Sequence, residues 1–134
     1  MSDKQVVGIV EEIVLEGRRD VRATAVFDTG AKMTSVDVRL AAKAMLGPIV
    51  KTTKVSNPSL KMQVRRPVVE AAIRVMDRRF RCLANIQDRE HMTFPVIIGR
   101  NIINGNFVVD TKKNHDLYER RVKEKNDRGK QAQV

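Results

Sequence analysis

The chain has 134 residues, which is room for one compact domain with a real core and hardly for two. Its 26 Lys and Arg against 16 Asp and Glu give a net charge of +10, which favours an anionic partner: nucleic acid, a membrane surface or an acidic polypeptide. Only 4% of the residues are aromatic and Trp is absent, which argues against binding single-stranded nucleic acid by base stacking.

The sequence predicts a cytoplasmic protein without a membrane segment. Cys82 is the only cysteine, so no intramolecular disulfide forms and nothing indicates an oxidising compartment. In the N-terminal "MSDKQVVGIVEEIVLEG", Glu11 and Glu12 interrupt the apolar residues well before the length of a secretory segment or a membrane span.

The apolar runs are short, rich in branched residues and separated by turns, which is the pattern of a small all-β fold. The predicted strands, in chain order, are Val6–Leu15, Val21–Phe27, Lys51–Val55, Val68–Val75, Phe80–Ile86, Pro95–Ile98 and Phe107–Asp110. The segment Val75–Phe80 is predicted to be a hairpin with Asp77 in its turn. One helix is predicted near Val38–Met45, where Gly47 and Pro48 end it.

From Thr111 onward the sequence "TKKNHDLYERRVKEKNDRGKQAQV" is polar throughout, with 8 cationic and 4 anionic side chains. Such a segment buries little surface, so we expect a frayed helix or a disordered tail. The predicted organisation is a folded domain over residues 1–110 and a basic polar tail over residues 111–134. The tail's net charge of +4 leaves +6 on the domain, which is therefore basic itself.

Two segments are unusual for a strand protein. An apolar run ends on Asp28, which Thr29, Gly30 and Ala31 follow at once. Asp is a poor strand former, and a buried carboxylate has to be paired, hydrogen-bonded or partly protonated; the plainest interpretation is a strand that ends in an Asp-Thr-Gly turn. The second segment, "FPVIIGRNII" (Phe94–Ile103), runs from a branched strand into a glycine.

Together, "DTGA" and "IIGRNII" resemble the two signatures of the retropepsin-like aspartic peptidases, the family of the retroviral proteases. The segments "VSNPS", "RRPVVEAAIRV", "QDREHM" and "FVVD" are similar to the putative ATP-dependent zinc protease family, small retropepsin-like proteins that often accompany ligases adding glutamate to a ribosomal protein. The similarity covers roughly Ala23 to Asp110. It implies an all-β, closed acid-protease barrel with one short helix after Gly99 and another near Val38–Met45.

The resemblance also implies a reaction. An aspartic peptidase needs two carboxylates that share a proton and activate a water. Because the chain has a single "DTG", the family's solution is a homodimer in which Asp28 of each chain completes the catalytic pair across a twofold axis. Thr29 would bond across that axis, while Gly30 and Ala31 would let the substrate backbone approach closely.

Two further parts of the site follow from the same resemblance. Ile97, Ile98 and Gly99 would pack behind the Asp28 loop and fix its geometry. The segment Lys54–Lys61 would be a flap that closes over the substrate, with its tip at Ser56, Asn57 and Pro58. By its residues alone, this tip is equally well a generic turn.

The chain departs from the retroviral pattern at one charge. Many retroviral enzymes place an acid directly after "DTGA", where it pairs with the arginine of "GR"; here that position is Lys32, so Arg100 loses its partner. Asp88, Asp110 or a substrate carboxylate are the alternatives. We expect Lys32 and Arg100 to lie near the ends of the cleft and to bind substrate, favouring acidic residues around the scissile bond or a glutamate-extended tail.

No metal or other cofactor is predicted. A catalytic zinc needs about three protein ligands, and the chain offers only His91, His115 and Cys82, with no His-Glu-x-x-His motif. Cys82 lies in an apolar strand, where a small core side chain is the common outcome.

Two other functions stay open. One is a non-catalytic binding module on the same fold, which binds an acidic peptide or a ribosomal component without cleaving it. The other is a nucleic-acid binder, suggested by Arg65-Arg66, Arg78-Arg79-Arg81 and Arg120-Arg121, although such clusters also occur on solvated strand faces. We rank the peptidase first, the acidic-peptide binder second and the nucleic-acid binder third.

Overall fold

The structure, a computed structural model, describes residues 3–57 and 62–132, and over these it has nine strands and three helices. The elements in chain order are β1 (Gln5–Gly8), β2 (Val10–Glu16), β3 (Asp20–Phe27), β4 (Thr34–Asp37), α1 (Val38–Ala44), β5 (Ile49–Asn57), β6 (Met62–Val75), β7 (Arg78–Gln87), β8 (Val96–Ile98), α2 (Arg100–Ile103), β9 (Phe107–Asp110) and α3 (His115–Ala132).

Most of the strands close into a barrel. Seven of them pair in the order β2-β3-β8-β4-β7-β6-β5, and β2 also pairs with β6. This extra pairing joins the sheet to itself, so that six strands form a ring and β5 extends from it along β6. Branched side chains such as Ile13, Leu15, Ile73 and Ile98 fill the interior and are fully buried. The predicted closed, mostly β barrel with short helices is therefore confirmed.

The predicted strand Val6–Leu15 is wrong as a single element, because it divides at Ile9. The Ile9 N–H donates to the Lys113 carbonyl at 3.1 Å, and the Ile9 carbonyl accepts from the Phe27 N–H at 2.9 Å. On the N-terminal side of Ile9, β1 lies outside the barrel and pairs in parallel with β9. On the C-terminal side, β2 pairs with β3 in the barrel. The apolar pattern runs on through the change of partner, so it gives no sign of the break.

One strand and part of two others are absent from the prediction. β4 reads "TSVD", whose polar residues are typical of turns, yet all four residues are buried. The predicted strand Lys51–Val55 is the inner part of Ile49–Asn57, and the predicted strand Val68–Val75 is the C-terminal part of Met62–Val75.

The predicted helix near Val38–Met45 is confirmed as α1. It begins where the carboxylate of Asp37 accepts a hydrogen bond from the Arg39 N–H at 3.0 Å, and it ends at Met45 in a left-handed conformation. The predicted hairpin around Asp77 joins β6 to β7 and is confirmed as well.

The polar C-terminal segment forms α3, which lies against the barrel. The Tyr118 ring stacks on the Phe94 ring with 5.6 Å between centroids. Arg121 donates to the Thr24 hydroxyl at 3.4 Å, and the Lys125 ammonium donates to the Glu90 carbonyl at 3.0 Å. The division of the chain at residue 110 stays a prediction. In the described part of the chain, no helix combines the length and the apolar character needed to cross a membrane.

The pairing of β1 with β9 is testable by a disulfide. Val6 lies opposite Val108, and both side chains are about half exposed. Neighbouring strands lie about 4.8 Å apart, within the Cα separation of roughly 4.4–6.8 Å that a disulfide spans. With Cys82→Ala as background, the double substitution Val6→Cys and Val108→Cys should therefore oxidise within one chain and migrate as a monomer on a non-reducing gel.

The matched control joins Val6→Cys with Val50→Cys, a similarly exposed position on β5, and should form no bond within the chain. Covalent dimers in the Val6–Val108 variant, absent from either single-cysteine variant, would contradict pairing within one chain.

Candidate active site

The Asp28 loop begins where β3 leaves the barrel. β3 pairs in parallel with β8, with Val26 opposite Ile97 and Phe27 opposite Ile98. Phe27 is buried, whereas Asp28, Thr29 and Gly30 are exposed, so the strand ends in a turn and the acid is not buried. The Asp28 carboxylate therefore lies at the surface, directly after the buried end of β3.

Backbone hydrogen bonds hold the loop. The Asp28 N–H donates to the Ile98 carbonyl at 2.9 Å, and the Ala31 N–H donates to the Asp28 carbonyl at 3.1 Å. The Gly30 N–H donates to Asp28 Oδ1 at 2.8 Å, so the loop itself orients one oxygen of the carboxylate. The structure thereby brings Asp28, Gly30, Ala31 and Ile98 together.

Gly99 lies directly behind this loop, in a space that admits no side chain. A Cβ added to Gly99 would lie 2.8 Å from the Met33 carbonyl oxygen and 2.9 Å from that of Ala31, closer than real Cβ atoms approach. The next residue closes the contact, because the Arg100 N–H donates to the Ala31 carbonyl at 2.8 Å. The glycine is required for close approach of two backbones.

Thr34 and Asn101 were not among the predicted site residues, yet their hydrogen bonds connect the start of β4 to the turn at Gly99. The Thr34 hydroxyl accepts from the Gly99 N–H at 3.1 Å and bonds to Asn101 Oδ1 at 2.8 Å. Asn101 Oδ1 also accepts from the Thr34 N–H at 3.0 Å, and its Nδ2 donates to the Leu83 carbonyl at 2.8 Å. A signal for Asn101 was present, since it is an uncharged polar residue between Arg100 and two isoleucines in "IIGRNII".

Arg100 and Lys32 lie at this loop but differ in their contacts. Arg100 Nη1 donates to the Thr29 carbonyl at 3.0 Å, so this guanidinium supports the loop. Asp88 instead pairs with Arg39 at 2.9 Å, and Asp110 accepts from the Lys112 N–H at 2.9 Å. Over residues 3–57 and 62–132, neither acid pairs with Lys32 or Arg100.

The proposed flap is only partly within the described residues. β5 and β6 form a long antiparallel hairpin in which Ser56 lies opposite Gln63 and Asn57 opposite Met62. Pro58, the third residue of the predicted tip, lies outside the described residues. The role of this hairpin as a flap stays a prediction.

No protein-family model and no curated protein matches this chain. Solved structures do. The chain is similar to a Legionella pneumophila protein of unknown function (DUF785), with a TM-score of 0.58 and 21% identity over 82% of this chain and 95% of that one.

Two viral proteases are similar as well. For EIAV protease in complex with the inhibitor HBY-793 the TM-score is 0.59 and the identity 16%, over 75% of this chain and 91% of that one. For the simian foamy virus protease the values are 0.53 and 13%, over 69% and 90%. The chain has a retropepsin-like fold. At these identities the likeness shows the fold alone.

In the described part of the chain, one group of side chains could hold a metal ion, and it does not include Asp28. His115, Asp116 and Glu119 place their ligand atoms within 4.8 Å of one another, but all three are exposed and belong to the first turns of α3. Burial raises the pKa of the Cys82 thiol to about 12, so it stays protonated and is a poor ligand. His91 is exposed in the loop that precedes β8.

Two of the arginines that suggest a nucleic-acid partner, Arg78 and Arg79, contact the protein itself. Arg79 binds Glu16 through two hydrogen bonds of 2.9 and 2.8 Å. Arg78 donates to Asn106 and lies over the Phe80 ring, 5.0 Å from its centroid. These contacts leave less free charge on β7 than the sequence indicates.

The Thr34 hydroxyl should contribute measurably to stability. Thr34→Val keeps the shape of the fully buried side chain but leaves the Gly99 N–H without an acceptor, so the free energy of unfolding should fall by about 1–3 kcal/mol. Denaturant unfolding measures this. The control Thr52→Val, at an exposed position on β5, should change it by less than about 0.5 kcal/mol. Equal effects of the two substitutions would contradict the role given to Thr34.

The Cys82 thiol should be unreactive in the folded protein. Because its pKa is raised to about 12, the thiolate is scarce at about pH 8, and alkylation should accelerate with pH toward 12 rather than level off near 9. Rates are measured by mass spectrometry, with the unfolded chain as control. Rapid labelling of the folded protein at about pH 8 would contradict the raised pKa of this partly buried thiol.

Proposed function

We propose that the chain is one protomer of a retropepsin-like aspartic endopeptidase whose site pairs the Asp28 of two chains. The observation that carries the proposal is the exposed Asp28 carboxylate on a loop held by Ile98, Gly30 and Ala31. A catalytic group has to be held in place yet remain accessible, and this loop provides both.

The pair of Asp28 carboxylates supplies both acid and base. Two carboxylates in contact share one proton, because like charges at that distance do not both ionise. The ionised group takes a proton from a water that attacks the scissile carbonyl, while the protonated group donates to the carbonyl oxygen. When the intermediate breaks down, the carboxyl that is now protonated donates to the leaving amine, and the other carboxylate takes the proton of a hydroxyl of the intermediate as the carbonyl re-forms, so the pair again shares one proton. Thr29 would stiffen the two loops across the axis, and Gly30 and Ala31 would form the floor under the substrate.

A homodimer is part of the proposal. Each chain carries a single Asp-Thr-Gly, so one chain alone has only half of the acid-base pair. The exposure of Asp28, Thr29 and Gly30 leaves this loop accessible to a second copy. The predicted cytoplasmic location is retained with the proposal.

The proposed substrate is an acidic protein segment. The basic charge of the domain attracts anions, and Lys32 lies beside the loop without an acid partner in the described residues. The resemblance to the putative ATP-dependent zinc protease family, together with the ligases that accompany it, supports a glutamate-extended tail. No zinc takes part in the proposed reaction, because the possible metal ligands in the described residues lie on α3 and do not include Asp28.

A binding module for acidic peptides is the second candidate function. The free charge of Lys32 supports it equally, since attraction of a carboxylate needs no catalysis. A nucleic-acid binder ranks below both, because Arg78 and Arg79 are engaged within the protein.

The catalytic role of Asp28 is tested by Asp28→Asn. Loss of the acid-base pair should reduce cleavage of an unfolded, glutamate-rich protein by about 10²–10⁴-fold or more, as measured by mass spectrometry of the fragments. Asp20→Asn is the control, since Asp20 is exposed at the opposite end of the same strand, β3. It should leave cleavage unchanged.

Specific activity should fall when the protein is diluted below its dimer dissociation constant, and a metal chelator should have no effect. Cleavage that survives Asp28→Asn, or that is undiminished in a demonstrated monomer, would refute the proposed mechanism. Binding of the glutamate-rich protein without any cleavage would favour the binding module.

A further inference from the structure

A cavity of about 260 Å³ lies beside the Asp28 loop. It is lined by Lys32, Met33, Arg81, Cys82, Leu83 and Asn101. Typical sites for drug-sized ligands are about 300–1,000 Å³, so this volume suits one or two side chains rather than a whole ligand.

The topology of the barrel produces the cavity. β4 pairs with β7 from Thr34 opposite Ala84 onward, so the residues just before Ala84 on β7 lie beyond the start of β4. They face the end of the Asp28 loop instead, where Lys32 and Met33 precede β4. The bond from Asn101 Nδ2 to the Leu83 carbonyl, 2.8 Å, fixes β7 to the turn behind the loop. The cavity is therefore built from the same elements that position Asp28.

Two cations border this cavity, and both are exposed. In the described part of the chain, neither Lys32 nor Arg81 has a carboxylate within 4.0 Å, whereas the neighbouring Arg79 is held by Glu16 at 2.8 Å. Arg81 also borders a smaller cavity of about 160 Å³ that Glu16 and Glu70 line. Arg81 thus borders both cavities, and it forms no ion pair with Glu16 or Glu70.

We propose that the 260 Å³ cavity is a specificity subsite for a glutamate side chain of the substrate, with Lys32 and Arg81 binding its carboxylate. The inference rests on the proposed function, because it places the cavity along the bound substrate. Met33 and Leu83 would contact the methylene groups, and the two cations would face the charged end. In a twofold dimer the subsite occurs once in each half of the cleft.

This assignment changes which cations select the substrate. The sequence predicts Lys32 and Arg100 as the selecting cations, but the guanidinium of Arg100 supports the loop through Thr29. Arg81 takes its place, although it was grouped with Arg78 and Arg79 as a feature for nucleic acid. Only the folded chain brings Arg81 from β7 next to Lys32.

The test uses peptide binding in the Asp28→Asn background, so that no peptide is cut. A set of peptides carries a single Glu at each successive position, and each has a Gln counterpart at the same position. Glu should be preferred over Gln at a position away from the scissile bond. Arg81→Gln and Lys32→Gln should each lower that preference by about two- to fivefold, the range for exposed charge pairs, and added salt should lower it too.

Lys43→Gln on α1 is the matched control, because it removes the same charge at an exposed position outside the cavity. It should leave the preference unchanged. Denaturant unfolding of the Arg81→Gln protein checks that a loss comes from the cavity and not from the neighbourhood of Glu16 and Glu70.

Equal binding of Glu and Gln peptides by the parent protein, or an equal loss in Lys43→Gln, would overturn the subsite. The experiments can refute the subsite and the peptidase function independently of each other. Cleavage by the Asp28 protein without any Glu preference would leave the peptidase standing and remove the subsite. A Glu preference that depends on Arg81, in a protein that never cleaves, would retain the subsite and remove the peptidase.

Discussion

The contact between two backbone segments, the Asp28 loop and the turn at Gly99, is the constraint on which the rest of the site depends. The Asp28 N–H binds the Ile98 carbonyl and the Arg100 N–H binds the Ala31 carbonyl, with no room between them for a side chain on Gly99. Buried backbone groups that lose their partner are costly, so each hydrogen bond stabilises the position of the others. The carboxylate is exposed, yet the backbone that carries it is held by these contacts.

A single chain, however, provides only one carboxylate on a loop of this kind. The loop orients Asp28 Oδ1 through its own Gly30 N–H, but nothing in the Asp-Thr-Gly sequence supplies a second acid. Acid-base catalysis of the proposed type needs a proton shared between two carboxylates. In the proposed mechanism, a retropepsin-like barrel with one such loop supplies half of the site, and the twofold axis would pass beside Asp28 so that a second chain supplies the other half.

Much of the barrel was predictable from the sequence, because short branched strands and two local signatures indicate it independently. What could not be predicted depends on partners that are distant in the chain. The division of the first strand at Ile9 is fixed by Phe27 and Lys113, and β4 is a strand because Thr34 and Ser35 bond inside the barrel to Asn101 and Asn85. Arg81 could not be separated from Arg78 and Arg79 by sequence for the same reason: the structure gives those two arginines protein partners, whereas Arg81 lines a cavity. The Asp28 and Gly99 segments were found because each is a short continuous sequence that resembles a family signature.

The central claim is that two Asp28 carboxylates act as one site, and subunit mixing tests it most directly. Parent and Asp28→Asn chains are unfolded together in varied proportions, refolded and assayed for cleavage at a fixed total concentration. If both carboxylates are required, every mixed dimer is inactive and the activity follows the square of the parent fraction, so that equal parts retain about one quarter. Activity that falls in simple proportion, retaining about one half in the equal mixture, would show that each Asp28 works alone and would contradict the account.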